Sequence, residues 1–108
     1  LDWKNVSEGV IKNYILEVAK EGNLNSMKAL AEVFGFDVNA KNKDGQTALM
    51  FAAENGHLDV VKYLVKHKAN LNAKNKDGQT ALMYAAKNGH LDVVKYLVEH
   101  GADLNVKY

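Results

Sequence analysis

The ten residues KNKDGQTALM occur at 41–50 and again, unchanged, at 74–83. They sit inside a longer duplication. Residues 40–72 and 73–105 align without a gap, and 28 of their 33 positions are identical. The five differences are Phe51/Tyr84, Glu54/Lys87, Lys66/Glu99, Lys68/Gly101 and Asn70/Asp103. A period of 33 residues is the mark of stacked helical repeats, and it restricts the fold before any other feature is weighed.

Each copy reads as two short helices. Ala48, Leu49, Ala52 and Ala53 fall on one face at helical spacing, with Thr47 placed to cap the first turn. Asn55-Gly56 ends that helix. Val60, Val61, Leu64 and Val65 repeat the spacing in a second helix, where Asp59 suits the N-terminal dipole and Lys62 stands three residues on as its ion-pair partner. The Asn-Gly and Asp-Gly pairs also occur in hairpins, but the flanking apolar residues do not alternate. A first helix this short lies below the roughly 12–15 residues at which an isolated helix is marginal. Its Ala-rich face buries little area alone, so stability is expected from unit stacked on unit.

The segments DGQTALMFAAENGHLDVVKYLVKHKANLN (44–72) and DGQTALMYAAKNGHLDVVKYLVEHGADLN (77–105) resemble ankyrin repeats. The resemblance rests on Gly45, Thr47, Leu49, Ala52, Ala53, Gly56, His57, Val61, Leu64, Ala69 and Asn72, and on their counterparts from Gly78 to Asn105. It implies an all-α solenoid of stacked helix-turn-helix units joined by β-turn-like loops. There are departures. Ala48 and Ala81 replace the family's Pro, and Met50 and Met83 replace a His, so a polar link near the Thr is expected to be lost. Lys68 stands where the family uses Gly, and a left-handed backbone there would cost Lys on the order of 1 kcal/mol.

Residues 1–39 are divergent. Val6, Val10, Ile11, Tyr14, Ile15, Val18 and Ala19 form one stripe, with Ser7 as its expected N-cap. Gly22-Asn23 interrupts, and Leu24, Met27, Leu30, Ala31 and Phe34 form a second stripe ended by Gly35. Relative to the later units, one residue is inserted between Leu30 and Gly35. This segment is similar to a capping ankyrin repeat, with Trp3 as an anchor on its first helix. The expected organisation is a capping repeat at 1–39, repeats at 40–72 and 73–105, and a short tail at 106–108. No C-terminal cap is expected, which leaves Leu91, Val94 and Val98 open to water or to self-association.

The chemistry-bearing residues give no catalytic constellation. The chain has no Cys, and Ser7 and Ser26 read as helix caps. No G-x-x-x-x-G-K-[ST] loop occurs. Asp44-Gly45 and Asp77-Gly78 read as tight-turn residues. Of the four histidines, His57 pairs with His90 and His67 with His100 by position. Equivalent positions in adjacent units lie about 8–10 Å apart, whereas zinc ligands sit about 2 Å from one ion. The resemblance gives His57 and His90 a different role, bonding the backbone of the neighbouring loop, while His67 and His100 read as surface residues. No enzyme activity, cofactor or metal is expected.

What remains is a surface. The resemblance places partner contacts on the concave side, at turn tips and first helices. That implies Lys41, Lys43, Asp44, Gln46, Phe51, Glu54 and Asn55 in one copy, and Lys74, Lys76, Asp77, Gln79, Tyr84, Lys87 and Asn88 in the next. Phe51 and Tyr84 are either exposed interface anchors or packed against the adjacent unit. The partner class is another protein. With 14 basic and 13 acidic residues, nucleic acid and membrane are not expected partners. The N-terminus shows no signal peptide and no apolar run is long enough to span a bilayer, so an intracellular, cytoplasmic setting is expected. Two functions stay open: a protein-binding module, or an engineered, consensus-like scaffold without a natural partner.

Overall fold

The computed structural model describes residues 8–104. The expected roles of Trp3, Val6 and Ser7, and the tail at 106–108, lie outside the described residues. Helix α1 spans Glu8–Glu21. Helix α2 spans Leu24–Lys28 and runs into a π-helical turn at Ala29–Val33. Helices α3 (Ala48–Glu54), α4 (Leu58–Lys66), α5 (Ala81–Lys87) and α6 (Leu91–Glu99) follow. Among the described residues there is no strand. Helices α1, α3 and α5 pack side by side as one layer, and α2, α4 and α6 form a second.

Local chemistry sets the helix ends. Thr47 is extended, and its hydroxyl accepts the Met50 N–H at 3.3 Å. Thr80 does the same for Met83 at 3.5 Å. Met50 is more than apolar filling, because its Sδ accepts the Thr47 N–H at 3.4 Å and so closes a capping box. The cap of α2 is Asn23, not Ser26: Asn23 Oδ1 accepts the Ser26 N–H at 3.0 Å, and Ser26 lies inside the helix. The expected Asp59–Lys62 pair does not form. Asp59 Oδ1 accepts from the Val60 N–H at 2.8 Å, and Lys62 Nζ extends to 5.8 Å from the centre of the Tyr96 ring.

The extra residue before Gly35 is absorbed by the π-helical turn. Phe34 N–H donates to the Ala29 carbonyl five residues back, at 3.3 Å. The helix end then closes as in the other units. Phe36 N–H reaches the Leu30 carbonyl at 3.1 Å, where Ala69 and Ala102 reach Leu64 and Leu97, each at 2.9 Å. Lys68 has φ 71°, the one non-glycine with positive φ among the described residues.

Packing depends on position in the stack as much as on sequence. Ala48 through Ala53 of α3 are all buried, because α1, α4 and α5 surround them. In α5 a sequence that differs only at Tyr84 and Lys87 leaves Leu82 and Met83 half-buried and Ala86 exposed. Leu91 is 75% exposed, Val98 38% and Leu104 67%. Their counterparts Leu58, Val65 and Leu71 are half-buried under the following unit. In α1, Ile15, Leu16, Val18 and Ala19 enter the core. Val10 and Tyr14, read as part of the buried stripe, are exposed: α1 has 14 residues and outruns its neighbour α3, which has seven.

Candidate functional site

The loops that precede α3 and α5 are built by an asparagine. Asn42 Oδ1 accepts from the N–H groups of Asp44 (3.0 Å) and Gln46 (2.9 Å), and its Nδ2 donates to Gln46 Oε1 at 2.9 Å. Asn75 repeats this arrangement with Asp77 and Gln79, at 2.9 Å throughout. Asp44-Gly45 and Asp77-Gly78 sit in these turns as expected, with Gly45 and Gly78 at positive φ, but the side chain that bonds the turn backbone is the asparagine two residues before each aspartate. The signal was present, since Asn is favoured where its side chain can bond backbone two residues on.

With Asn42 bracing the turn, the Asp44 carboxylate faces the next loop. Lys76 Nζ lies 2.9 Å from Asp44 Oδ1, and the Lys76 N–H donates to the Asp44 carbonyl at 3.0 Å. The hydrogen bond and charge of Lys76 hold the Asp44 carboxyl below the usual aspartate range, and the same contact raises Lys76. Lys41 Nζ donates to the Lys74 carbonyl at 3.4 Å. The side chains of Lys43, Lys74 and Asp77 stand exposed along this edge.

Phe51 and Tyr84 are not exposed anchors. Phe51 is 6% exposed, and Lys20 Nζ lies 4.5 Å from its ring centre. Tyr84 is 8% exposed, and its hydroxyl accepts from Asn75 Nδ2 (2.8 Å) and Gln46 Nε2 (3.2 Å). Both rings are held by the unit beside them. Asn55 is also structural, donating from Nδ2 to the Lys20 carbonyl at 3.2 Å, and Asn88 donates to the Tyr84 carbonyl at 3.1 Å. Gln46, Glu54, Gln79, Tyr84, Lys87 and Asn88 nevertheless come together. With Met83 they line a groove of about 210 Å³ where the loops meet the first-helix layer.

The histidines divide by environment. His57 Nε2 lies 2.8 Å from the Lys20 carbonyl. The exposed rings of His67 and His100 lie against Tyr63 and Tyr96, with centres 4.1 and 3.9 Å apart. Among the described residues no three His, Cys, Asp or Glu side chains are grouped to hold a metal. Sequence reasoning missed the asparagine ladder between units. Asn39 Oδ1 accepts the Asn70 N–H at 2.7 Å, and Asn72 Oδ1 accepts the Asp103 N–H at 2.7 Å. The 33-residue recurrence of Asn at this position was the available sign.

The family model described as "Ankyrin repeats (3 copies)" matches residues 15–108. The chain belongs to the ankyrin repeat family. Ankyrin repeats are a protein–protein interaction fold and not a catalytic one. Three relatives show how such units are distributed. Eye-specific diacylglycerol kinase of Drosophila melanogaster is 40% identical over 65 residues, 60% of this ankyrin chain and 4% of the kinase. Alpha-latroinsectotoxin-Lt1a of Latrodectus tredecimguttatus is 43% identical over 53 residues, 49% of this chain and 4% of the toxin. Notch-regulated ankyrin repeat-containing protein of Xenopus tropicalis is 47% identical over 45 residues, 42% of this chain and 39% of the relative. The chain thus spans well under half the length of these relatives. No helix among the described residues is long and apolar enough to cross a membrane.

Proposed function

We propose that this ankyrin-repeat chain is a non-catalytic binding module that holds a partner protein in its concave surface, within the cytoplasm. The groove between the two copied units carries the reading. It gathers six of the residues expected to touch a partner, from both loops and both first helices. The unit boundaries that go with it are 39/40 and 72/73. The burial of Phe51 and Tyr84 moves the contact chemistry to Gln46, Glu54, Gln79 and Lys87; Glu54 and Lys87 are outside the buried core, while Gln46 and Gln79 also brace their loops.

The test is photo-cross-linking. A photoreactive residue at Gln79 or Lys87 should yield a defined protein adduct, and one at Lys66 in the second helix layer should not. Equal labelling from both sites would refute the reading. Self-association through Leu91 and Val98 is part of the same proposal, supported by their exposure. Light scattering at two concentrations decides it, and a strict monomer at the higher one removes it. A scaffold without a natural partner is the second reading, favoured by the 28 identical positions of the copied units.

A further inference from the structure

The two lysine-rich loops form one edge. Asp44 and Lys76 are joined through backbone and side chain, and Lys41 crosses to the Lys74 carbonyl. Every one of these contacts runs from one copy to the next. The edge is therefore ordered before a partner arrives, which lowers the cost of binding.

The pairing also sorts the charges. Residues 41–44 and 74–77 hold four lysines and two aspartates. Asp44 and Lys76 neutralise each other at 2.9 Å. Lys41, Lys43 and Lys74 then face the single carboxylate of Asp77, a surplus of two positive charges on a chain whose net charge is +1. Lys87 adds a cation in the adjoining groove, where Glu54 offsets it. The surplus is local: the loops that carry it run on into Gln46 and Gln79, which line the groove and keep one carbonyl lone pair each beyond their bonds to Asn42 and Asn75.

We propose that this edge and groove dock an extended acidic segment of a partner protein, with its carboxylates on Lys43 and Lys74 and its backbone polar groups against Gln46 and Gln79. The proposal rests on the reading of the concave surface as the binding face. A peptide fits better than a polyphosphate. Asp77 and Glu54 interrupt the lysines, and a peptide can set a neutral or basic residue opposite each carboxylate. A phosphodiester chain carries a charge on every nucleotide and cannot. Exposed ion pairs are individually weak, so several carboxylates and the groove contacts must act together. Binding of this kind is steeply salt-dependent.

Panning the full chain against a displayed random-peptide library tests this, followed by fluorescence anisotropy on the enriched peptides and on an oligothymidylate. The expected result is enrichment of clustered Asp and Glu. Affinity should fall on the order of tenfold in Lys43→Glu/Lys74→Glu, two reversed exposed pairs. Enriched peptides without acidic residues, weakened by Glu54→Lys/Lys87→Glu but not by the lysine variant, would overturn the acidic segment and leave the concave reading standing. Peptides indifferent to both variants, or no enrichment, would overturn both. Oligothymidylate binding as tightly as the peptides, with the same lysine dependence, would assign the edge to polyanions and overturn the proposal.

Discussion

The ring of His90 lies directly against Gly56: a Cβ on that glycine would come within 2.5 Å of His90 Nδ1. Gly89 has nearly the same backbone (φ 74° against 72°) and the same Asn-Gly-His-Leu context, yet among the described residues nothing lies within 4 Å of its would-be Cβ. The pair separates two costs that usually arrive together. Gly89→Ala meets only the left-handed backbone, about 1–2 kcal/mol. Gly56→Ala meets that and must displace a packed ring, about 1–3 kcal/mol more. Thermal melts of the two variants should differ by several degrees, with Gly56→Ala the lower. Equal melting temperatures would mean that the ring does not hold the joint.

Lys68 gives the opposite sign. Its φ of 71° lies in the left-handed region, and the equivalent place in the next unit is held by Gly101, which takes a positive φ of 102° without a side chain to strain. Its carbonyl accepts from Asn39 Nδ2 at 3.1 Å, a bond that does not need the lysine side chain. Lys68→Gly should raise stability by about 1 kcal/mol. Denaturant unfolding measures it, and a loss of stability refutes it.

Two tyrosine hydroxyls carry contrasting expectations. The Tyr84 hydroxyl joins Gln46 of one loop to Asn75 of the next, and Asn75 is buried. Tyr84→Phe leaves a buried donor without its acceptor and should cost about 1–2 kcal/mol. Among the described residues the Tyr63 hydroxyl is buried with no partner in full hydrogen-bonding geometry, and the Glu32 carboxylate is the acceptor within its reach. Its pKa is pushed up by burial first and by the Glu32 carboxylate second. Tyr63→Phe removes a buried hydroxyl that Glu32 meets only outside full hydrogen-bonding geometry, so it should be neutral or stabilising by up to about 1 kcal/mol. The same urea titration applied to both variants should give shifts of opposite sign, or a shift for Tyr84→Phe alone.

The Asp44–Lys76 contact sets a pH signature. A folded-state carboxyl below its usual range stabilises above the unfolded value and loses that contribution as pH falls through the folded one. Lys76, raised by the same contact, stabilises below its unfolded value and loses the contribution as pH rises through the folded one. Both groups are exposed, so the direction is the observable. The carboxyl-carbon NMR titration of Asp44 should shift to higher pH in Lys76→Gln. An unmoved midpoint would show that the pair does not form in solution.

How far the sequence disclosed this arrangement depended on the range of each interaction. Thr47, Gly56 and Gly101 were legible because caps and terminators act within a turn or two. The residue inserted before Gly35 was legible as a count, but its conversion into a π-helical turn depended on keeping Phe36 N–H on the Leu30 carbonyl. Phe51 and Tyr84 could not be resolved, since only the neighbouring unit decides whether an aromatic is buried or offered. Met50 and Met83 show the limit plainly: identical decapeptides, one methionine buried and one half-exposed. The groove was legible as a group of positions, and the charge pattern beside it was not, because Asp44 pairs 32 residues away.

The contact between histidine and glycine also bears on how such a chain can lengthen over generations. One side of that joint is a backbone carbonyl, as at Lys20, and a bare α-carbon, as at Gly22 and Gly56. Neither feature belongs to a particular side-chain partner. A divergent unit and a copied unit can therefore accept the same histidine, and a duplicated gene segment brings its own fitting with it. Tandem expansion then needs no matching mutation at that joint on the older side.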